Sequence, residues 1–354
     1  MLAVLLTPPG RSALAVIHVA GEGARALVGR LFSGTLDGTL RAGRLVHQGD
    51  TVDEVMARVV DGFSAEETVE ISCHGGPAVV DRIFAALELP ASTTDELLER
   101  GVETGKLDRI RAEAWQLLPR ARTERAALML QAQAEGALSR AVAALRSPGE
   151  AARLLETAAV GIALATPRRV VFAGPPNAGK SSLFNALVER DRALVSATAG
   201  TTRDPVREVV AIDGLPVELV DTAGVDEPRD PLEARSIERT SKALGQADLV
   251  LFVFDAEAGA RGGELAFLER LGRRNTVLLL NKSDVGSKKP LLEALPVSAK
   301  TGQGLEELRR RILRALDVRR FPEEAAPVVF TARQEGLLRA ASSGLEDAKA
   351  ALLA

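Results

Sequence analysis

The run Gly174-Pro175-Pro176-Asn177-Ala178-Gly179-Lys180-Ser181 fits the spacing G-x-x-x-x-G-K-[ST]. Glycine at each end lets the backbone curl, so that successive N–H groups point at phosphate oxygens. Lys180 can reach a β- or γ-phosphate, and the Ser181 hydroxyl can ligate Mg²⁺. Ser182 follows as a further phosphate contact. The run lies between the apolar, β-rich residues Arg169 to Ala173 and a helical pattern from Ser182 to Leu187. That strand-loop-helix setting argues against a glycine-rich turn matching by accident.

Four more motifs follow in order. Ala199-Gly200-Thr201-Thr202-Arg203-Asp204 offers threonines that can complete a Mg²⁺ shell when a γ-phosphate is present. Asp221-Thr222-Ala223-Gly224 comes directly after an apolar run; Asp221 is expected to hold the metal through water, and the Gly224 N–H to sense the γ-phosphate. Lys180 and Gly224 are therefore catalytic candidates. Asn281-Lys282-Ser283-Asp284 selects the base, because a carboxylate at Asp284 accepts both the N1–H and the amino group of guanine, and adenine lacks that pair of donors. Ser298-Ala299-Lys300 supplies backbone for the guanine O6. The set implies a Ras-like GTP-binding domain. Val225 stands where Ras-like proteins that position water use Gln, so another carboxylate or amide must orient the nucleophile, or no hydrolysis occurs. Asn177 either stabilises the loop or ligates a monovalent cation beside the phosphates, which would act as an arginine finger does.

These motifs need strands to carry them. Val217 to Val220, Leu249 to Phe254 and Thr276 to Leu280 read as buried strands alternating with helices, the pattern of an open parallel sheet whose ligands bind at the carboxyl ends of its strands. Residues 166–320 are the expected G domain. Residues 1–89 read as a small α/β domain, in which Cys73-His74-Gly75-Gly76-Pro77 is a turn that either is structural or forms an anion nest. Residues 90–165, rich in Ala, Leu, Arg and Glu and broken at Pro119 and at Ser147-Pro148-Gly149, read as helical. Residues 321–354 are expected to form one amphipathic helix, Arg333 to Leu353, docked on the helical domain. The arginines at 120, 122 and 125 and those from Arg309 to Arg320 read as solvated helix surface, with RNA contact as the alternative for the second group.

The 354 residues carry a net charge of −3, so no global positive field draws the chain onto nucleic acid. Aromatic residues make up only 3%, with no Tyr, which argues against a base-stacking platform. One cysteine excludes an internal disulfide and points to a reducing, cytoplasmic compartment. The start of the chain lacks the basic region of a signal peptide, and no apolar run approaches the ~20 residues of a membrane span.

Thr7-Pro8-Pro9-Gly10-Arg11, His74-Gly75-Gly76-Pro77, Gly105-Lys106-Leu107-Asp108 with Ala112-Glu113-Ala114, and the guanine motifs together resemble the MnmE (TrmE) family of tRNA uridine modification GTPases. The resemblance implies a P-loop GTPase domain with a mostly parallel α/β sheet, inserted in a helical domain, behind a small N-terminal α/β domain that binds a formyl-tetrahydrofolate and dimerises. It implies GTP hydrolysis to GDP that needs Mg²⁺ and is stimulated by K⁺ when two G domains meet. Ser181 and Thr202 match the family's Mg²⁺ ligands. Asn177, Ser196, Thr198 and Thr201 match its K⁺ positions. Glu233 matches its catalytic glutamate, which orients water in place of the missing Gln; a surface helix glutamate is the alternative. Glu70 and Lys106 match folate contacts, and His18 stands where the family has an arginine. Two departures stand out: the family's Pro-Gly-Glu-Phe segment is replaced by Pro90 to Thr94, and its Cys-x-Gly-Lys tail has no counterpart here. The expected task is therefore tRNA wobble-uridine modification with the flavin-dependent partner MnmG. The alternatives are a switch or scaffold without the modification chemistry, or a ribosome-assembly GTPase.

Overall fold

A computed structural model describes residues 1–64, 66–191, 207–221, 244–259, 268, 275–286 and 293–354. The chain divides into two compact units. One comprises Met1–Pro119, Gln133–Ala143 and Lys349–Ala354; the other comprises Arg120–Ala132 and Ala144–Ala348.

The first unit is built on β1 (Leu2–Leu5), β2 (Leu14–Ala20), α1 (Ala24–Leu31), β3 (Arg41–His47), β4 (Asp50–Val60), β5 (Thr68–His74), α2 (Pro77–Leu87), β6 (Ala91–Ser92), α3 (Thr94–Glu103) and α4 (Arg109–Leu117). Its sheet runs β3-β4-β5-β2-β1-β6. The pairings are antiparallel except for β1 with β6. Side chains alternate across such a sheet. Ile17, Val19, Val69, Ile71 and Ala57 therefore share one face, buried with Val28 of α1 and Ile83 of α2. His18, Glu70 and Arg58 fall on the other, in one cross-strand row. Helix α3 opens with a capping box: Thr93 Oγ1 accepts from the Glu96 N–H at 3.1 Å, and the Glu96 carboxylate accepts from the Thr93 N–H at 2.8 Å. Cys73 is buried and its thiol is pushed up to about 11, by burial first and Asp53 second, so no thiolate chemistry resides there at neutral pH.

Two helices follow, α5 (Glu124–Ala134) and α6 (Ala137–Ala143). The second unit adds α7 (Pro148–Leu155), α8 (Ala158–Ala165), β7 (Arg168–Ala173), α9 (Lys180–Asp191), β8 (Arg207–Ile212), β9 (Leu215–Asp221), β10 (Leu249–Asp255), β11 (Thr276–Asn281), β12 (Leu295–Pro296), α10 (Leu305–Ala315), α11 (Ala332–Ala340) and α12 (Leu345–Leu353), whose last turn belongs to the first unit. The sheet order is β12-β11-β10-β7-β9-β8, parallel except for the β8–β9 hairpin. Strand β10 is buried along Leu249 to Phe254, as a strand covered on both faces must be. The expected α/β fold with a mostly parallel sheet is present.

The tail differs from expectation. It forms two helices rather than one. The Ser342 and Ser343 hydroxyls donate back to the Arg339 and Ala340 carbonyls at 3.2 and 2.8 Å, and Gly344 follows. These bonds compete with the helical ladder and end α11. Ahead of it, Val328, Val329 and Phe330 are buried. The Val329 N–H donates to Thr157 Oγ1 at 3.0 Å, and a Cβ on Gly161 would lie 2.1 Å from the Val329 oxygen. Only glycine admits that crossing of α8. No apolar alternation marks edge strands β3 and β8, because exposed charged residues such as Arg41, Arg44, Arg207 and Glu208 interrupt it. Among the described residues, no helix is long and apolar enough to cross a membrane.

A charged node ties α9, the β8–β9 turn and α10 together. Arg309 lies 3.1 Å from Asp191, 2.6 Å from Asp213 and 3.0 Å from Glu306. This corrects the reading of Arg309 as solvated surface: its side chain is 14% exposed. Burial raises the Asp191 carboxyl above its usual range, against the pull of Arg309. Arg309→Met strands that carboxylate and is expected to cost roughly 3 kcal/mol, about 6–12 °C in melting temperature. Adding Asp191→Leu should recover most of the loss. An unchanged thermal melt for Arg309→Met would rule the node out as a structural tie.

Candidate nucleotide site

Strand β7 ends at Ala173, and the chain then turns sharply. Gly174 has φ +133°, and a Cβ there would sit 2.3 Å from the Val253 oxygen of β10. Asn177 occupies the left-handed region at φ +61°, which asparagine tolerates better than most residues. Gly179 has φ +87°, and its missing Cβ leaves room for the Asn281 amide, 2.2 Å from where that atom would be.

Asn281 is the centre of the site. It is 2% exposed at the end of β11. Its Nδ2 donates to the Ala178 oxygen at 2.9 Å, and its Oδ1 accepts from the Ala299 N–H at 3.2 Å. One side chain thus joins the phosphate loop, the 281–284 loop and the 298–300 loop. Lys282, at φ +65°, adds a second tie. Its Nζ donates to the Asn177 oxygen at 2.9 Å and pairs with Asp255 at 2.6 Å. Burial alone would raise the Asp255 carboxyl; Lys282 and the N–H groups of Glu257 and Ala258 hold it below its usual range instead.

Ser298 is fully buried, and its hydroxyl donates to Asp284 Oδ1 at 2.7 Å. That bond, ahead of the charge on Lys300, lowers the Asp284 carboxyl from its usual value. Asp284 is therefore an exposed, oriented carboxylate that can accept two parallel N–H bonds. Lys180 is 6% exposed, and its ammonium donates to the Gly174 and Pro175 oxygens at 3.0 and 2.8 Å. Ser181 and Ser182 are exposed on the first turn of α9, beside the loop.

Asp221 closes β9 and pairs in register with Phe172, one residue before the end of β7. Its Oδ1 is buried and lacks a hydrogen-bond partner among the described residues. An orphaned carboxylate oxygen next to a phosphate loop fits a hydrated divalent cation. Among the described residues no cluster of three or more His, Cys, Asp or Glu forms a metal site. A cation here would draw instead on one carboxylate, hydroxyls and phosphate oxygens. Ser196, Thr198, Thr201, Thr202, Gly224, Val225 and Glu233 lie outside the described residues.

Glu70 and Lys106 line a single cavity of about 600 Å³ in the first unit, together with His18 and Arg58. Lys106 pairs with Asp61. Phe63 and Trp115 meet edge to face in the same wall, with ring centroids 5.1 Å apart. The His74 turn is structural: the Gly75 N–H is spent on the Ala13 oxygen, and Ser12 fills the space of a Gly75 Cβ. Sequence reasoning missed Asp255, whose only signal is an acid closing an apolar strand. It also missed Arg58, Phe63 and Trp115, which no local motif marks.

Residues 1–104 match the family described as GTP-binding protein TrmE N-terminus, and residues 169–282 match that described as 50S ribosome-binding GTPase. The tRNA modification GTPase MnmE of Lactobacillus delbrueckii subsp. bulgaricus is 31% identical over an alignment covering 99% of this chain and 88% of that protein. The MnmE of Chloroflexus aurantiacus is 32% identical, covering 100% of this chain and 90% of that protein. A solved structure of Aquifex aeolicus Era with GDP and AlF4⁻ shares 28% identity over 48% of this chain and 64% of that one, with a TM-score of 0.36. Matched at both of its nucleotide-bearing and N-terminal parts, and over nearly its whole length, this chain belongs to the family of the tRNA modification GTPase MnmE.

Proposed function

We propose that this chain binds GTP on the loops gathered by Asn281, hydrolyses it to GDP and phosphate, and uses that cycle in tRNA wobble-uridine modification with an MnmG-type partner. The observation that carries the reading is the Asn281 bridge, which ties the phosphate loop to the 298–300 loop, where Ser298 in turn orients the Asp284 carboxylate. Asp284 accepts from N1–H and the amino group of guanine. Lys180 exchanges its loop carbonyls for phosphate oxygens, a stronger, charge-assisted pairing.

Water attacks the γ-phosphorus in line; the bond to the bridging oxygen breaks and GDP leaves. Lys180 and the loop N–H groups neutralise charge on the transferring group, and the Gly224 N–H meets the γ-phosphate. Glu233 orients the water, the role that Val225 cannot fill. Ser181, Thr202 and Asp221 would hold Mg²⁺, which supplies charge neutralisation at the β- and γ-phosphates. Asn177, Ser196, Thr198 and Thr201 would hold K⁺, which supplies a fixed positive charge of the arginine-finger kind. The first unit's cavity takes a formyl-tetrahydrofolate against Glu70 and Lys106, and that unit pairs with a second copy. Nucleoside analysis of tRNA from a deletion strain tests the biological half: loss of the modified wobble uridine is expected, and an unaltered tRNA profile would refute it.

Two variants test the chemistry. Asp284→Asn removes the twin acceptor; its affinity for GTP should fall about a hundredfold or more, with that for xanthosine triphosphate rising, both read by nucleotide titration. Equal GTP binding by the variant would sink the base assignment. Glu233→Ala should lower turnover by about a hundredfold or more at unchanged nucleotide affinity. Asn177→Ala should erase the difference between hydrolysis in potassium and in sodium. Turnover that ignores both changes would remove these two residues from the mechanism.

A further inference from the structure

Glu70 sits at the middle of a row that crosses three strands. His18 on β2 faces it from one side and Arg58 on β4 from the other. His18 Nε2 lies 3.2 Å from Glu70 Oε2, and Arg58 Nε donates to Glu70 Oε1 at 2.8 Å. A carboxylate can only accept, so His18 Nε2 carries its hydrogen. In the neutral ring Nδ1 is then a bare acceptor. That nitrogen is buried and has no hydrogen-bond partner among the described residues, on a residue only 6% exposed. A buried acceptor left unpaired is costly. Protonation would turn it into a donor.

The charges around the ring bear on that proton. On β1, the strand on its far side, His18 faces Val4, which is apolar. Within the cavity Arg58, Lys106 and Arg111 oppose Glu70 and Asp61. With His18 neutral the lining carries one excess positive charge; with His18 protonated it carries two. Burial lowers the pKa of the ring, Glu70 pulls the other way, and Arg58 adds to the lowering. An anionic ligand that fills the cavity excludes water and strengthens each of these interactions, and its acceptor oxygens reward the charged ring.

We propose that His18 is a proton-linked specificity residue of this cavity: binding of a reduced folate, through its carboxylates and carbonyls, takes up a proton on the ring. The proposal rests on the reading of the cavity as a folate site. The sign follows from linkage. The ligand-bound protein holds the proton more tightly than the free protein. Affinity is flat above the bound-state pKa, strengthens as pH falls between the two values, and is flat again below the free-state one.

The test uses the full chain and 5-formyltetrahydrofolate as the probe. Calorimetry between pH 6 and 8, in buffers of different ionisation enthalpy, counts the protons taken up. NMR of the three histidine rings reads the His18 titration directly with and without the probe. A fractional proton uptake is expected, with binding at least threefold tighter at pH 6 than at pH 8, and an upward shift of the His18 titration in the complex. His18→Gln and His18→Arg should both bind without uptake and with a flat pH profile. Binding by the native protein with no proton uptake and an unmoved His18 titration would overturn the proposal and leave the folate reading standing. No binding at any pH would overturn the folate reading and the proposal with it.

Discussion

One buried amide holds the nucleotide-facing end of this protein together. Asn281 can bridge the phosphate loop and the 298–300 loop only because Gly179 offers no side chain and because β11 ends level with β10. The register that aligns Asp255 with Asn281 also brings Lys282 within reach of both Asp255 and Asn177. A parallel sheet ends its strands on one side, and here that geometry is converted into specific bonds between loops more than a hundred residues apart. Such bonds are strong in a dry, low-dielectric setting and expensive to leave unmade. Bonds of this kind between the loops restrict their conformations, and a site so restricted loses less entropy on binding.

The first unit works on a different constraint, the two-residue period of its strands. Ile17 and Val19 on β2 and Val69 and Ile71 on β5 make the core, and the residues between them make the cavity. Core and site are thus two faces of the same ladder. A slip of one residue would bury Glu70 and expose Ile71. The long hydrophobic overlap of β2 with β5 guards against that slip, and so guards the charged row as well.

Much of this was legible in the sequence. The glycine and lysine spacing of 174–181 and the apolar runs 217–220, 249–254 and 276–280 dictate a parallel sheet with loops at its carboxyl ends. What motifs convey is residue type at a spacing; they do not convey bonding. Asn281 reads as part of a base-selecting motif, yet its amide is spent on protein rather than on base. Arg58, Phe63 and Trp115 are separated along the chain, and only strand register and helix packing bring them to one cavity. The tail reads as a continuous apolar period, and the serine hydroxyls that interrupt it act through local bonds that a periodicity count does not register. Strands β3 and β8 hide behind charged outward faces, as edge strands often do.

The crossing of α8 by residues 328–330 has a consequence for biosynthesis. Thr157 finds the Val329 N–H 172 positions later, and Thr123 finds the Gly214 oxygen 91 positions later. A ribosome emits α8, which has no charged residue, long before the segment that covers it. The nascent chain must carry the face of α8 that residues 328–330 cover through the synthesis of the parallel sheet. Burial of α8 is thus completed only after residues 328–330 have been made, and until then its apolar surface is open to holdase chaperones.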